Sequence, residues 1–230
     1  MPIRFLPLLV GLLPIVAIHA SLLLAINAGV IPACLPYIDG CASISATGRY
    51  EPAVFLFKPA MTTEAVVMVI YWTLSAIWIR SMSRIAGMQG GAAVSAMALL
   101  GIAGALALII YVTFLGTHAP FYEFMRRFGI YLYFLFTVVA QIMLARMAMR
   151  RSEKLGLSPV LKVSRWQLWL SLTPFAFGAL NFILKSSLAD PDPAENVIEW
   201  ISALLMHVYF VLTYISWRET RFGTDFKIKP

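Results

Sequence analysis

His118, Glu123, Arg126 and Arg127 fall in one polar stretch, Gly116-Thr-His-Ala-Pro-Phe-Tyr-Glu-Phe-Met-Arg-Arg. A histidine and a carboxylate that converge can exchange protons with a substrate as acid and base. Paired arginines match phosphate oxygens, because each guanidinium presents a planar fork of donors. Arg49, in an earlier polar stretch, adds a third fork. Glu51 and Glu199 add carboxylates. The candidate catalytic groups are therefore His118, Glu51 and Glu199, and the candidate anion-binding groups are Arg126, Arg127 and Arg49. The same stretch also reads as a wet turn, in which Glu123 and Arg127, four apart on a helix, pair with each other.

A second set of polar residues lies inside apolar runs. His19 and His207 fall near the middle of the first and last runs. Two such histidines could ligate a haem through both axial positions, relay protons, or hydrogen-bond a neighbouring helix. Asn181 and Gln141 are similar candidates for bonds between helices. Cys34 and Cys41 are separated by six residues in one loop, and an oxidising compartment would join them as a disulfide. The pair lacks nearby His or Cys to complete a metal site, so no metal is expected, and no cofactor is assigned. There is no Walker loop, Gly-x-Ser-x-Gly elbow or His-Glu-x-x-His.

The elements that must position these groups are membrane helices. Of the 230 residues, 60% are apolar and 13% charged, against about 25% charged in a soluble domain. Mean hydropathy is +0.82. This excludes an ordinary soluble enzyme, a disordered chain and a disulfide-stapled secreted module. Six windows have the roughly 20 apolar residues a span needs: 5–29, 63–79, 92–115, 128–149, 166–184 and 197–217. Between them, one side collects 13 Lys/Arg and three acids, and the other five Lys/Arg and eight acids. The positive-inside rule then puts both termini in the cytoplasm. The first window is longer than a signal-peptide core and is expected to remain as a helix.

The expected fold is an all-α membrane protein: one domain over 1–230, a bundle of six transmembrane helices with both termini cytoplasmic and an ordered outer loop cap. The first outer loop, from Ile31 to Met61, carries prolines, aromatics and few charges, which suits a cap lying on the bundle. The third outer loop, Ala189 to Asn196, is acidic and proline-rich, as a helix start requires. In the third window, Ala92 with Ala96 and Gly101 with Ala105 are four apart, a pattern for close helix packing. The net charge of +7 is explained by topology, and nucleic acid is not an expected partner.

Several stretches resemble the Frag/DRAM/Sfk family of membrane proteins, whose best-known branch is post-GPI-attachment-to-proteins factor two. They are Pro36-Tyr37-Ile38-Asp39, Ser43-Ile-Ser-Ala-Thr-Gly-Arg-Tyr-Glu-Pro, Leu106-Ala-Leu-Ile-Ile-Tyr-Val-Thr-Phe, and the tail with Glu199, His207 to Tyr214 and Trp217 to Phe226. The Cys34–Cys41 pair and His118 have no counterpart in that pattern. The resemblance implies work on lipids or lipid-anchored molecules, and a prokaryotic relative would handle a lipid other than a GPI anchor.

Three functions follow. The first is binding, with remodelling as an extension, of lipids at the outer face of a bacterial inner (plasma) membrane, membrane lipids being the partners. The second is a non-catalytic scaffold or subunit alongside another membrane protein. The third is a haem- or quinone-binding redox subunit built on His19 and His207. A channel or transporter would want charged or broken helices along a path, and the spans offer few.

Overall fold

The structure, a computed structural model, describes residues 3–89, 91–117 and 119–223. In chain order its elements are α1 (Leu6–Asn27), the single turn α2 (Ile44–Thr47), α3 (Val54–Ile85), α4 (Gly91–Thr113), α5 (Pro120–Leu155), α6 (Ser158–Ser187) and α7 (Asp192–Glu219). A short turn, Ile3–Phe5, leads into α1. Among the described residues there is no strand. The six long helices are each long and apolar enough to cross a membrane. Hydrocarbon cannot bond backbone groups, so a helix, which bonds its own, is the form such runs take. The chain thus has the build of an integral membrane protein.

The windows 5–29 and 92–115 match α1 and α4 closely, whereas the others are the apolar centres of longer helices. The largest difference is in α3, which starts nine residues before the window at Thr63. Its first turns contain Lys58 and Pro59, which read as loop in sequence. Thr62 bonds back to the Lys58 carbonyl at 2.9 Å, as a helical hydroxyl can. At 1.5 Å per residue, 32 residues span about 48 Å, well beyond the ~30 Å of hydrocarbon. In a bilayer of that thickness, the ends of α3 and α5 would reach beyond the hydrocarbon, where polar residues are cheap. The loop expected over Ile31 to Met61 ends instead at Ala53.

Each long helix packs on its chain neighbours, and α7 closes on α1, so the six form a ring; α3 also touches α5. An even number of antiparallel crossings returns both termini to one end, where Phe5 stacks on Tyr214 at 5.4 Å. The opposite end carries the 28–53 connection and is called the loop end below. Close approach of α4 to α5 depends on Gly129, since a Cβ there would meet the backbone of Tyr111 and Ala107 at 2.6–3.0 Å. Gly101 of α4 seats the Trp72 ring in the same way.

The bundle interior is apolar and aromatic, with Tyr71, Trp72, Tyr209, Phe210 and Trp217 in one buried cluster. Several polar groups within it are bonded between helices, whereas both Glu64 oxygens and the Trp72 and Trp217 indole nitrogens have no partner among the described residues. Gln141 donates to the Met206 carbonyl at 2.9 Å, Gln167 to Thr213 at 2.8 Å, and Tyr209 to the Gln141 carbonyl at 2.7 Å. The outermost helix is α6, where Trp166, Trp169 and Phe182 stand outward as lipid-facing side chains would.

Candidate functional site

At the loop end a chamber of about 370 Å³ opens between α5, α6 and α7. Arg126, Arg127 and Tyr131 of α5 line it with Asn181 of α6, Glu195 and Glu199 of α7, Tyr111 of α4, and Ser43, Ser45 and Arg49 of the 28–53 connection. All three arginines expected to bind an anion thus face one space, although Arg49 lies 77 residues before Arg126 in the chain. Arg126 and Arg127 enter from the second turn of α5, which Pro120 opens at its first turn.

Folding of the connection onto the helices brings Arg49 there. Cys34 and Cys41 are joined as a disulfide. The Tyr37 hydroxyl bonds Nε2 of His19 at 3.0 Å, Asn196 donates to the Gly40 carbonyl at 2.8 Å, and the buried Trp200 indole donates to the Ala42 carbonyl at 2.9 Å. Tyr111 donates to Ser45 at 3.2 Å. Gly40 has φ +59° and lies against the Pro193 carbonyl, where no Cβ would fit. Burial pushes the Tyr37 phenol above its ordinary range, so it stays a neutral donor.

Charges in the chamber are unevenly matched. Among the described residues the ion pairs are Lys185–Glu195, at 2.6 Å, and Arg218–Glu219, at 3.0 Å. Glu195 also accepts from Asn181 at 3.1 Å, so its charge is already used. The backbone N–H groups of Ile44 and Ser45 lie against the Glu199 carboxylate. Among the described residues, none of Arg49, Arg126 and Arg127 pairs with a carboxylate, and the buried Nε of Arg49 has no partner. Glu123 and Arg127 share α5 without forming the ion pair their spacing allowed. With Glu195 paired to Lys185, three guanidinium groups face the one remaining carboxyl, Glu199, which leaves the chamber net positive and suited to an anion with several oxygens.

The other expected residues are dispersed. Glu51 is exposed and does not line the chamber, Glu199 does line it, and His118 lies outside the described residues. The structure therefore does not bring the three catalytic candidates together. His19 and His207 are used separately. Nδ1 of His19 lies 2.7 Å from the Ile15 carbonyl, and Nδ1 of His207 lies 2.6 Å from the Ala203 carbonyl. Each ring therefore donates through Nδ1 and turns Nε2 to a tyrosine hydroxyl, Tyr37 for His19 and Tyr133 for His207. His19 packs edge-on to Trp200, and His207 is seven residues, about 10 Å, deeper along α7. Of the four interhelical candidates, His207, Asn181 and Gln141 bond another helix, while His19 bonds the connection. Among the described residues no three His, Cys, Asp or Glu side chains converge.

Sequence reasoning missed Glu64, Tyr111 and Tyr133. Glu64 was counted with the outer acids, but it is fully buried in α3. The signal was the buried stripe Phe57, Met61, Glu64, Met68, spaced by threes and fours. The fold and site together define a six-helix membrane-type bundle with a basic chamber at one end. No protein-family model matches the chain, and no curated protein or solved structure is significantly similar to it.

Proposed function

We propose that this chain is an integral protein of a bacterial inner (plasma) membrane, with both termini cytoplasmic. The 28–53 connection is its outer cap, and the loop-end chamber binds the anionic headgroup of a membrane lipid or lipid-anchored molecule. The observation that carries the reading is the convergence of Arg49, Arg126 and Arg127 on one space without carboxylate partners. Depth supports it. Arg126 and Arg127 precede the apolar centre of a 36-residue helix, at the level where lipid phosphates lie. The wall residue Tyr131, at 70% exposure, adds apolar surface for acyl chains. The resemblance to the Frag/DRAM/Sfk family points to the same class of ligand. Remodelling chemistry would draw its base or acid from Glu199, the expected carboxylate that lines the chamber.

The test is native mass spectrometry of gently purified protein with lipid extraction from the same sample. The expected result is an anionic lipid retained by the native protein and lost from the Arg49→Ala/Arg126→Ala double variant. Equal retention by the two, in protein of unchanged thermal stability, refutes the headgroup site. A C-terminal reporter active only in the cytoplasm tests the orientation.

A further inference from the structure

The loop-end chamber has two chemically opposite parts. Arg49, Arg126 and Arg127 supply one. Glu199, two turns into α7, supplies the other with Ser43 and Ser45 of the 28–53 connection. Tyr111 adjoins both, close enough to feel the charges of Glu199, Arg126 and Arg49. Yet among the described residues Glu199 forms an ion pair with none of the arginines. The backbone N–H groups of Ile44 and Ser45 lie against its carboxylate. A carboxylate offers about four acceptor positions, so this half-buried group keeps capacity for a ligand. Glu195, the other carboxylate of the wall, is already held by Lys185 and Asn181.

A ligand made of phosphate oxygens alone suits the arginines but meets like charge at Glu199. The group it turns toward Glu199 must therefore donate a hydrogen bond. Hydroxyl and ammonium groups both donate, and the serines separate them. Ser43 accepts from the Ala46 N–H at 3.2 Å, and Ser45 accepts from the Tyr111 hydroxyl at 3.2 Å. Each serine thus keeps its own O–H to give. A ligand hydroxyl can accept it, whereas an ammonium has donors only. Three guanidinium groups in the same space also oppose a cation. Volume sets the scale. At about 370 Å³ the chamber is near the small end of ligand pockets, which run from roughly 300 to 1,000 Å³. That suits a phosphate with one small substituent.

We propose that the chamber selects a phosphate ester of a small polyol, a phosphoglycerol-type headgroup, with its phosphate on the arginines and a hydroxyl donated to Glu199. The inference rests on the headgroup reading above and names the ligand class of that site. In it the arginines supply affinity for the phosphate, and Glu199 supplies the choice among phosphates. A headgroup without a hydroxyl leaves Glu199 facing the bound anion with nothing between them.

Titration of the full chain in phosphatidylcholine nanodiscs with three fluorescent lipids of identical acyl chains tests it. Phosphatidylglycerol carries the polyol. Phosphatidylethanol has the same single charge and no headgroup hydroxyl. Phosphatidylethanolamine carries an ammonium. On the native chain, phosphatidylglycerol is expected to bind at least about tenfold more tightly than phosphatidylethanol, the worth of one hydrogen bond to a charged group, and more tightly than phosphatidylethanolamine. Glu199→Ala is expected to erase that preference while phosphatidylethanol binds as well as before or better, which a misfolded chain would not do. Water-soluble glycerophosphoglycerol that competes as well as the lipid, with the same dependence on Glu199, supports the polyol site and places its source in water. Equal binding of phosphatidylglycerol and phosphatidylethanol to the native chain overturns the proposal. So does a preference that survives in Glu199→Ala, or tightest binding of phosphatidylethanolamine. Failure of the headgroup reading looks different: neither anionic lipid then loses affinity in the Arg49→Ala/Arg126→Ala variant, and this proposal falls with it.

Discussion

Arg126→Ala separates a built anion site from a merely basic surface. Arg126 is half-buried at the chamber wall, whereas Arg127, one residue on, is exposed. A hydrogen bond to a charged group contributes about 1.5–3 kcal/mol, and each 1.4 kcal/mol is tenfold in affinity. Arg126→Ala should therefore weaken anionic-lipid binding roughly ten- to a hundredfold. Arg127→Ala removes a solvent-screened charge worth at most about 1 kcal/mol, a fewfold loss. Raising salt shortens the screening length to ~3 Å at 1 M, so the Arg127 increment should vanish while most of the Arg126 increment persists. Arg165→Ala, in the basic patch with Trp166 and Trp169 on α6, is the control and should change nothing. The assay is titration of protein in zwitterionic nanodiscs with a fluorescent anionic phospholipid, repeated with a zwitterionic one. Equal losses for Arg126→Ala, Arg127→Ala and Arg165→Ala would mean that net charge alone attracts the lipid, and the chamber would have no part in it.

Three other substitutions probe the scaffold. Gly129→Ala drives a Cβ into the α4 backbone at 2.6 Å and should cost several °C in thermal melts, whereas Gly178→Ala, with open space around it, should be neutral or raise stability by up to ~1 kcal/mol of helix propensity. Cys34→Ser/Cys41→Ser opens a loop with a sequence separation of 7. Chain entropy puts the cost near 2.5 kcal/mol, read as faster proteolysis within residues 28–53; an unchanged cleavage rate refutes the disulfide's role in holding that segment. Trp200→Phe leaves the Ala42 carbonyl without its donor and should cost about 1–3 kcal/mol. It should also weaken lipid binding without touching an arginine, because it frees the segment that carries Arg49, and unaltered lipid affinity would show that Arg49 needs no such support.

What was legible in the sequence follows from which interactions are local. Six spans could be read because an apolar run of about 20 residues has one inexpensive fate in lipid. The ends of α3 and α5 could not, because headgroups tolerate Lys58, Thr62 and Arg126 equally well in a helix or a loop. The arginines were readable as phosphate-type donors from their chemistry alone. Their meeting was not readable, since it depends on Trp200, Asn196 and Tyr37 folding the connection back onto the helix ends. Placing both histidines near the middle of their runs also misled. His19 is 15 residues from Arg4 and His207 is 11 from Arg218, a difference worth about 6 Å of helix. That difference is enough to put His19 against the connection and His207 beside Tyr133. Glu64 shows the converse limit. Charge counting grouped it with the eight acids of the outer side, but the stripe it belongs to turns inward. A side chain's register on its helix, more than its distance from the nearest charge, decides whether a carboxylate at a span's edge meets water or the interior.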